Sequence, residues 1–350
     1  MPKFSRPVSK LADEPGDWGS HGRKVLCYNG REVADTLRRA ILLGSLSALF
    51  FSSTFVLNRL VTLQGASPFW LASLRYVFTL PILAAVLMGR GELLQAWRTF
   101  WNRPIPWIVW GTVGFGLFYL PITMAARWAP AWLIAGGWQL TIVMGSLVVP
   151  CVDRRRVPWR DMWPSLIILA GVGAAEWSSR QTTGWGGALV LIPILIAAVA
   201  YPLGNRKMMQ YTRSHLSGFS VYQRTFDMTL GSLPFWCVTM IAGGVQSGWP
   251  GGGTVTAAAA TALFSGVVAT LLFFYATDLA RGDIGWLARI EATQSLEIFF
   301  TVLVASLLFN QQWPHPSQWI GLLVIMAGMV LHSLRPAAKK SQPAHASAGP

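Results

Sequence analysis

Of 350 residues only 12% are charged, whereas 53% are AVILMFWYC residues and 18 are Trp; soluble domains carry roughly 25% charge, and a soluble protein this apolar could not cover its own surface. The 34 Gly and 21 Pro are dispersed along the chain, which excludes collagen-like and low-complexity readings. The formal charge of +14 is no nucleic-acid footprint, because the Lys and Arg lie between apolar runs instead of forming one patch, so the composition leaves an integral membrane protein.

The chain opens with a segment, residues 1–39, that reads as a flexible cytoplasmic tail. These 39 residues hold eight Lys/Arg and five Asp/Glu with no continuous apolar stretch, unlike a signal peptide. A spanning helix takes about 20 mostly apolar residues. Ten runs meet this, at 40–61, 69–88, 104–125, 130–150, 162–178, 186–204, 219–242, 257–279, 284–309 and 317–334. Their apolar character is continuous and not alternating, which indicates helices and not barrel strands. Residues 335–350 form a second flexible cytoplasmic tail. The expected fold class is therefore an all-α integral membrane protein with ten transmembrane helices.

Cytoplasmic loops hold the excess of Lys and Arg. One alternate set, made of the two tails, the loops at 89–103 and 205–218, Arg281 and the group Arg154, Arg155, Arg156 and Arg160, holds 22 of them. The other set holds Arg127, Arg180 and, at a helix end, Arg59, while Arg75, Arg224 and Arg289 lie inside helices. Both termini are thus expected in the cytoplasm of a multi-pass protein of the cell membrane.

The chain also repeats itself. Ala126-Arg127, four residues, then Trp132-Leu133 is answered by Ala280-Arg281, four residues, then Trp286-Leu287, an offset of 154. Asn58-Arg59 is answered by Asn205-Arg206, and Phe69 with Arg75 by Phe219 with Arg224, at offsets near 150. Four matches in one order divide the chain into five-helix halves, residues 40–178 and 184–334. Five is odd, so the halves run in opposite orientations. Two inverted repeats supply inward-open and outward-open states of nearly equal energy, the architecture of secondary transporters, with substrate held near the midplane between the halves.

Several of these residues carry a family resemblance. The Ser-rich first helix Phe50-Phe51-Ser52-Ser53-Thr54-Phe55 with Asn58-Arg59, the Pro68-Phe69-Trp70 entry with Arg75, the fourth helix from Pro130 to Pro150, and Ile290-Glu291-Ala292-Thr293 in the ninth resemble the ten-helix branch of the drug/metabolite transporter superfamily. Within it, residues 40–335 are most similar to multidrug resistance efflux transporters. The four-helix members of that superfamily couple protons to drug cations through a Glu in their first helix; here neither the first nor the sixth helix has a carboxylate, so a coupling acid must lie elsewhere.

Ionisable groups at bilayer depth cost about 2.5–3.5 kcal/mol each on insertion scales, which makes them functional candidates. Glu297 is the deepest, about 20 Å into the ninth helix at 1.5 Å per residue. Thr293, Gln294 and Thr301 fall on its face, so Glu297 can exchange a proton or hold a cation; the alternative is a protonated structural acid. Glu291 lies six residues earlier, about 120° around an ideal helix, so the two acids are not expected to point squarely into one cavity; the ninth-helix resemblance makes Glu291 a candidate substrate or proton site on the cavity wall, the alternative being a structural partner for Arg289 or Arg75. Asp227 can pair with Arg224 three residues away. Arg75 and Arg224, equivalent in the two halves, can bind an anionic group, neutralise Glu291 and Asp227, or bond helix ends. Trp138 and Gln139 lie mid-way along the fourth helix, where a Trp face attracts lipophilic cations.

No chemistry beyond transport is expected. Cys27, Cys151 and Cys237 have no metal or disulfide spacing, the five His lie in tails, loops or a helix end, and there is no P-loop for ATP. The reading is a cofactor-free secondary transporter, not an enzyme, exporting small lipophilic or cationic compounds by alternating access coupled to protons. Its partners are the small-molecule substrate, protons and the bilayer; no nucleic acid or oligomeric partner is implied. The rival cargo is an amino acid or other metabolite held by Arg75 and Arg224. Rivals of other classes are an intramembrane enzyme on lipid-linked substrates and a non-transporting sensor or scaffold.

Overall fold

The computed structural model describes residues 21–152, 162–183, 190–280 and 284–334. Arg154, Arg155, Arg156 and Arg160, Arg281, residues 1–20 and the C-terminal tail lie outside the described residues. Every described element is helical. Eight helical stretches are long and apolar enough to cross a membrane: Ala34–Leu63, Pro68–Gly89, Pro104–Ala125, Ala131–Val148, Val221–Ser247, Gly252–Leu279, Gly285–Phe309 and Pro316–Ser333. They correspond to eight of the ten expected runs. The other two, the fifth and sixth, fall in α8 (Trp163–Thr183) and α9 (Leu191–His215). Both are diluted by polar residues: α8 carries Glu176 and ends in Ser-Ser-Arg-Gln-Thr-Thr, and α9 turns polar from Asn205 onward.

Two segments depart from the loops and tails expected. The first helix, α1 (His21–Leu63), takes in residues 21–39 as well as the first apolar run. After α2 (Pro68–Gly89), the expected loop at 89–103 contains α3 (Leu93–Asn102). Its Ala96 and Phe100 are buried while Leu94, Trp97 and Trp101 are exposed, the two-faced pattern of a helix lying on a surface.

Four spans are interrupted, and the interruptions recur. The third consists of α4 (Pro104–Gly111), a π-helical segment Thr112–Gly116 and α5 (Leu117–Ala125). The fourth is α6 (Ala131–Trp138) and α7 (Leu140–Val152), broken at Gln139. After α10 (Val221–Ser247), a span built from α11 (Gly252–Thr261) and α12 (Thr270–Leu279) holds a π-helical segment at Ala262–Ala269. Next, α13 (Ile284–Ala292) and α14 (Leu296–Phe309) are joined by a 3-10 turn, Thr293–Ser295. The two π segments begin 150 residues apart, and Gln139 precedes Thr293 by 154. Such irregular turns inside helices disturb the regular backbone hydrogen-bond ladder, as is common at helix hinges.

The last helix, α15 (Pro316–Ser333), packs along α8 more extensively than any other pair of elements, followed by α10 along α2. Further pairings mirror one another: α1 packs on α14 as α9 packs on α7, and α1 lies along the α11–α12 span as α9 lies along the α4–α5 span. The closest crossings are backbone to backbone. A Cβ on Gly204 would collide with the backbone of Gly114, and one on Gly321 with Ala175. Small residues allow such approach, which supplies packing where the lipid gives no hydrophobic drive.

Candidate functional site

A cavity of about 1080 Å³ runs through the middle of the helices, at the upper end of the size range of small-molecule sites. Its walls mix polar side chains with aromatic rings, among them Phe51, Phe55, Phe115, Phe118, Trp138, Tyr201 and Phe274 contributed by α1, the third and fourth spans, α9 and α12. Trp138 lies 4.7 Å from Phe118 and 5.2 Å from Tyr201, ring centre to ring centre, and Phe118 and Tyr201 are themselves 4.9 Å apart. This three-ring cluster fixes the Trp138 indole in place next to the helix break at Gln139.

Glu297 and Gln139 meet across the cavity. Gln139 Nε2 donates to Glu297 Oε2 at 3.4 Å and to the Ala135 carbonyl at 3.3 Å, and both residues are buried. The other polar neighbours expected to serve the carboxyl are committed elsewhere. Thr301 donates to the backbone carbonyl of Glu297 at 2.7 Å, Thr293 to that of Ile290 at 2.6 Å, and Gln294 to Gly44 O and Ser47 Oγ at 3.2 and 3.1 Å. Gln294 lines the cavity while pinning the ninth span to α1; Thr293 does not line it.

Glu291, a candidate for the cavity wall, does line the same cavity as Glu297, although the angle of an ideal helix sets the two apart. The reason is the 3-10 turn between them. Three residues at about 120° each, in place of about 100°, add about 60° of rotation and narrow the angular separation from about 120° to about 60°.

Arg75 and Arg224 also reach the cavity. Arg75 Cζ sits 3.9 Å from the centre of the Tyr119 ring and 5.6 Å from that of Tyr76, close enough for cation–π attraction. Its Nη2 donates to Ser265 Oγ at 3.2 Å, and Ser265 also accepts from Thr54 at 2.6 Å; Nη1 is buried with no hydrogen-bond partner among the described residues. Neither Arg pairs with Glu291, Glu297 or Asp227: among the described residues the ion pair is Arg90–Glu92, at 2.9 Å and far from the cavity. Asp227 is not on the cavity wall. It is fully buried, and neither carboxylate oxygen has a hydrogen-bond partner among the described residues, so the local pair with Arg224 that its spacing permits does not form. Tyr119, Tyr201, Thr54 and Ser265 were not legible as site residues, since an aromatic or hydroxyl residue in an apolar run gives no periodic or charge signal.

One end of the bundle is tied shut. Arg59 donates to the carbonyls of Ala126 and Arg127 at 2.7 and 3.2 Å, covering the end of α5. Asn58 Nδ2 donates to the Tyr119 hydroxyl at 3.1 Å, Trp70 Nε1 to Gly248 O at 2.8 Å, and Ser73 and Thr239 share a bond of 2.6 Å. The cavity wall extends the other way, to Ser146, Met162, Asn205 and Ser333.

Residues 38–338 match the model of the EmrE family, described as "Putative multidrug resistance efflux transporter". The chain is 40% identical over 310 residues to uncharacterized protein YjlA of Bacillus subtilis (strain 168), covering 84% of this chain and 94% of that one. It is 37% identical over 304 residues to an uncharacterized 42.1 kDa protein of Shouchella clausii, covering 81% and 79%. A solved chain described only as a crystal structure of a protein has the same fold, with a TM-score of 0.53 at 20% identity over 87% of this chain and 98% of that one. A family model spanning most of the chain, over a multi-pass helical bundle with a central cavity, leads to one assignment: the chain belongs to the EmrE family of efflux transporters, multi-pass membrane proteins that are not enzymes.

Proposed function

We propose that the chain is a ten-span secondary transporter that exports small lipophilic or cationic compounds in exchange for protons, with both termini in the cytoplasm of the cell membrane. Two inverted halves, residues 40–178 and 184–334, would rock against each other about the cavity. The recurrence of the π segments and of the mid-helix breaks at offsets of 150 and 154 supports this division, as do the mirrored helix pairings. The helix ends reached by the cavity wall, at Ser146, Met162, Asn205 and Ser333, lie on the side of the Arg-rich loops, so the cavity faces inward in this reading.

The observation that carries the proposal is Glu297: a buried carboxyl, bonded to Gln139, in a cavity that also presents several aromatic rings. Aromatic faces attract a lipophilic cation, and a single acid can serve proton and cargo in alternation. A second reading, an amino-acid or other metabolite exporter, is favoured by Arg75 and Arg224, which line the cavity without an ion-pair partner among the described residues.

Purified protein in vesicles with an acidic lumen tests the two. Accumulation of tetraphenylphosphonium faster than in protein-free vesicles, abolished when the pH gradient is collapsed, is the expected result. Failure to move the cation, with gradient-driven uptake of a neutral amino acid, would replace the first reading by the second.

A further inference from the structure

Outside the central cavity, a second groove of about 600 Å³ opens on the exterior of the molecule between α2, α3 and α10, where Pro81, Met88, Leu94 and Trp97 are exposed. Its lining is apolar, with Pro81, Ala84 and Met88 on α2, Trp97 on α3, and Phe226 and Leu230 on α10. The sequence explains the gap. Pro81 lacks the backbone N–H and Ala84 adds little bulk one turn on, so the α2 side of the groove stays shallow where Ala84, Phe226 and Leu230 pack together at its base. From Pro81 to Met88 the groove follows α2 for about 10 Å at 1.5 Å per residue, in the direction that an acyl chain runs in a leaflet.

The groove's rim is cationic and aromatic. Trp97 and Trp101, both exposed, stand edge to face at 5.7 Å, as interfacial Trp do at headgroup level. Arg90 is engaged by Glu92 at 2.9 Å and by the Tyr222 ring at 4.5 Å. Arg98 is exposed and makes no hydrogen bond or ion pair among the described residues. It follows Trp97 directly and lies one turn from both Leu94 and Trp101, so its guanidinium shares the outer face of α3 with the mouth of the groove.

We propose that this groove holds one anionic phospholipid, an acyl chain lying along α2 between Ala84 and Leu230 and the phosphate bound by Arg98 at the rim. An apolar slot beside a free cation and two interfacial indoles complements both parts of such a molecule, and the bilayer supplies it. The proposal is independent of the cargo and of proton coupling.

Native mass spectrometry of the full-length protein, delipidated in detergent and then given equimolar phosphatidylglycerol and phosphatidylcholine, provides the test. One retained phosphatidylglycerol is expected, preferred several-fold. Arg98→Gln, an exposed and structurally mild change, should reduce that preference about fivefold. Ala84→Trp, which fills the slot, should remove the retained lipid at unchanged helical content. Equal retention of the two lipids, unchanged preference in Arg98→Gln, or a lipid-free dimer covering this face would overturn the proposal.

Discussion

Gln139 connects two features at the centre of the molecule, since it interrupts the fourth span and also donates to Glu297. A side-chain amide adjacent to a helix break can follow the carboxyl as the spans tilt. Glu297 was legible as a candidate because an acid in a long apolar run stands out in any sequence. Its partner was half legible: Gln139 is polar at mid-span, but nothing in the sequence aims it at a residue 158 positions away. The chosen neighbours Thr293 and Thr301 failed as partners because hydroxyls in helices readily bond the carbonyl three or four residues back. Arg224 separates the two cargo readings. Arg224→Gln should leave transport of a lipophilic cation within about twofold while abolishing that of a carboxylate-bearing cargo, measured as initial rates in vesicles; equal loss of both would assign Arg224 to the architecture. At the closed end, Arg59→Ala removes two charge-assisted bonds to helix-end carbonyls. Loss of about 1.5–3 kcal/mol is expected, as for a hydrogen bond to a charged group, visible as a lowered unfolding midpoint in detergent.

The spans themselves were largely readable, because bilayer thickness imposes a long apolar run on every helix that crosses it. The irregular turns within them were not. Thr112–Gly116 and Ala262–Ala269 are as apolar as the helices around them, so their π geometry reflects packing, not composition. The 3-10 turn at Thr293–Ser295 is the costliest of these omissions, since it turns Glu291 toward the cavity that Glu297 lines. Helix α3 was passed over as a loop because ten residues are too few to span, although its apolar positions at Leu93, Ala96, Trp97 and Phe100 keep helical spacing. The ends of α2 and α10 carry a testable element-scale claim. Trp70 to Gly248 and Ser73 to Thr239 tie them together on the closed side. In a background with Cys27, Cys151 and Cys237 changed to Ser and Ile122→Cys in the cavity wall, the double change Trp70→Phe with Ser73→Ala should raise labelling of position 122 by an external impermeant thiol reagent several-fold. Unchanged labelling would mean that these bonds do not hold that end closed.

For the whole molecule, the charge distribution and the repeat make separate claims. With 22 Lys/Arg on one set of segments and three on the other, a cysteine placed at Ser247 in the same cysteine-free background should be labelled from outside. Protection there, with labelling of the C-terminal tail, would invert the proposed orientation. The mirrored pairings of α1 on α14 and α9 on α7 support the proposed inverted halves, for which the sequence offered matches at only a few positions. Proton coupling to alternating access, as proposed, needs a titratable group that both sides can reach in turn, and the proposal names Glu297. The most direct test is tetraphenylphosphonium transport by reconstituted Glu297→Gln, which keeps the shape of the side chain and an acceptor oxygen but cannot titrate. The account predicts that pH-gradient-driven accumulation is lost while gradient-free exchange of labelled for unlabelled cation persists, with Glu291→Gln having an equal or smaller effect. Undiminished gradient-driven accumulation in Glu297→Gln would remove that residue as the coupling site, and its persistence in the double variant with Glu291→Gln would contradict carboxylate coupling in the ninth span altogether.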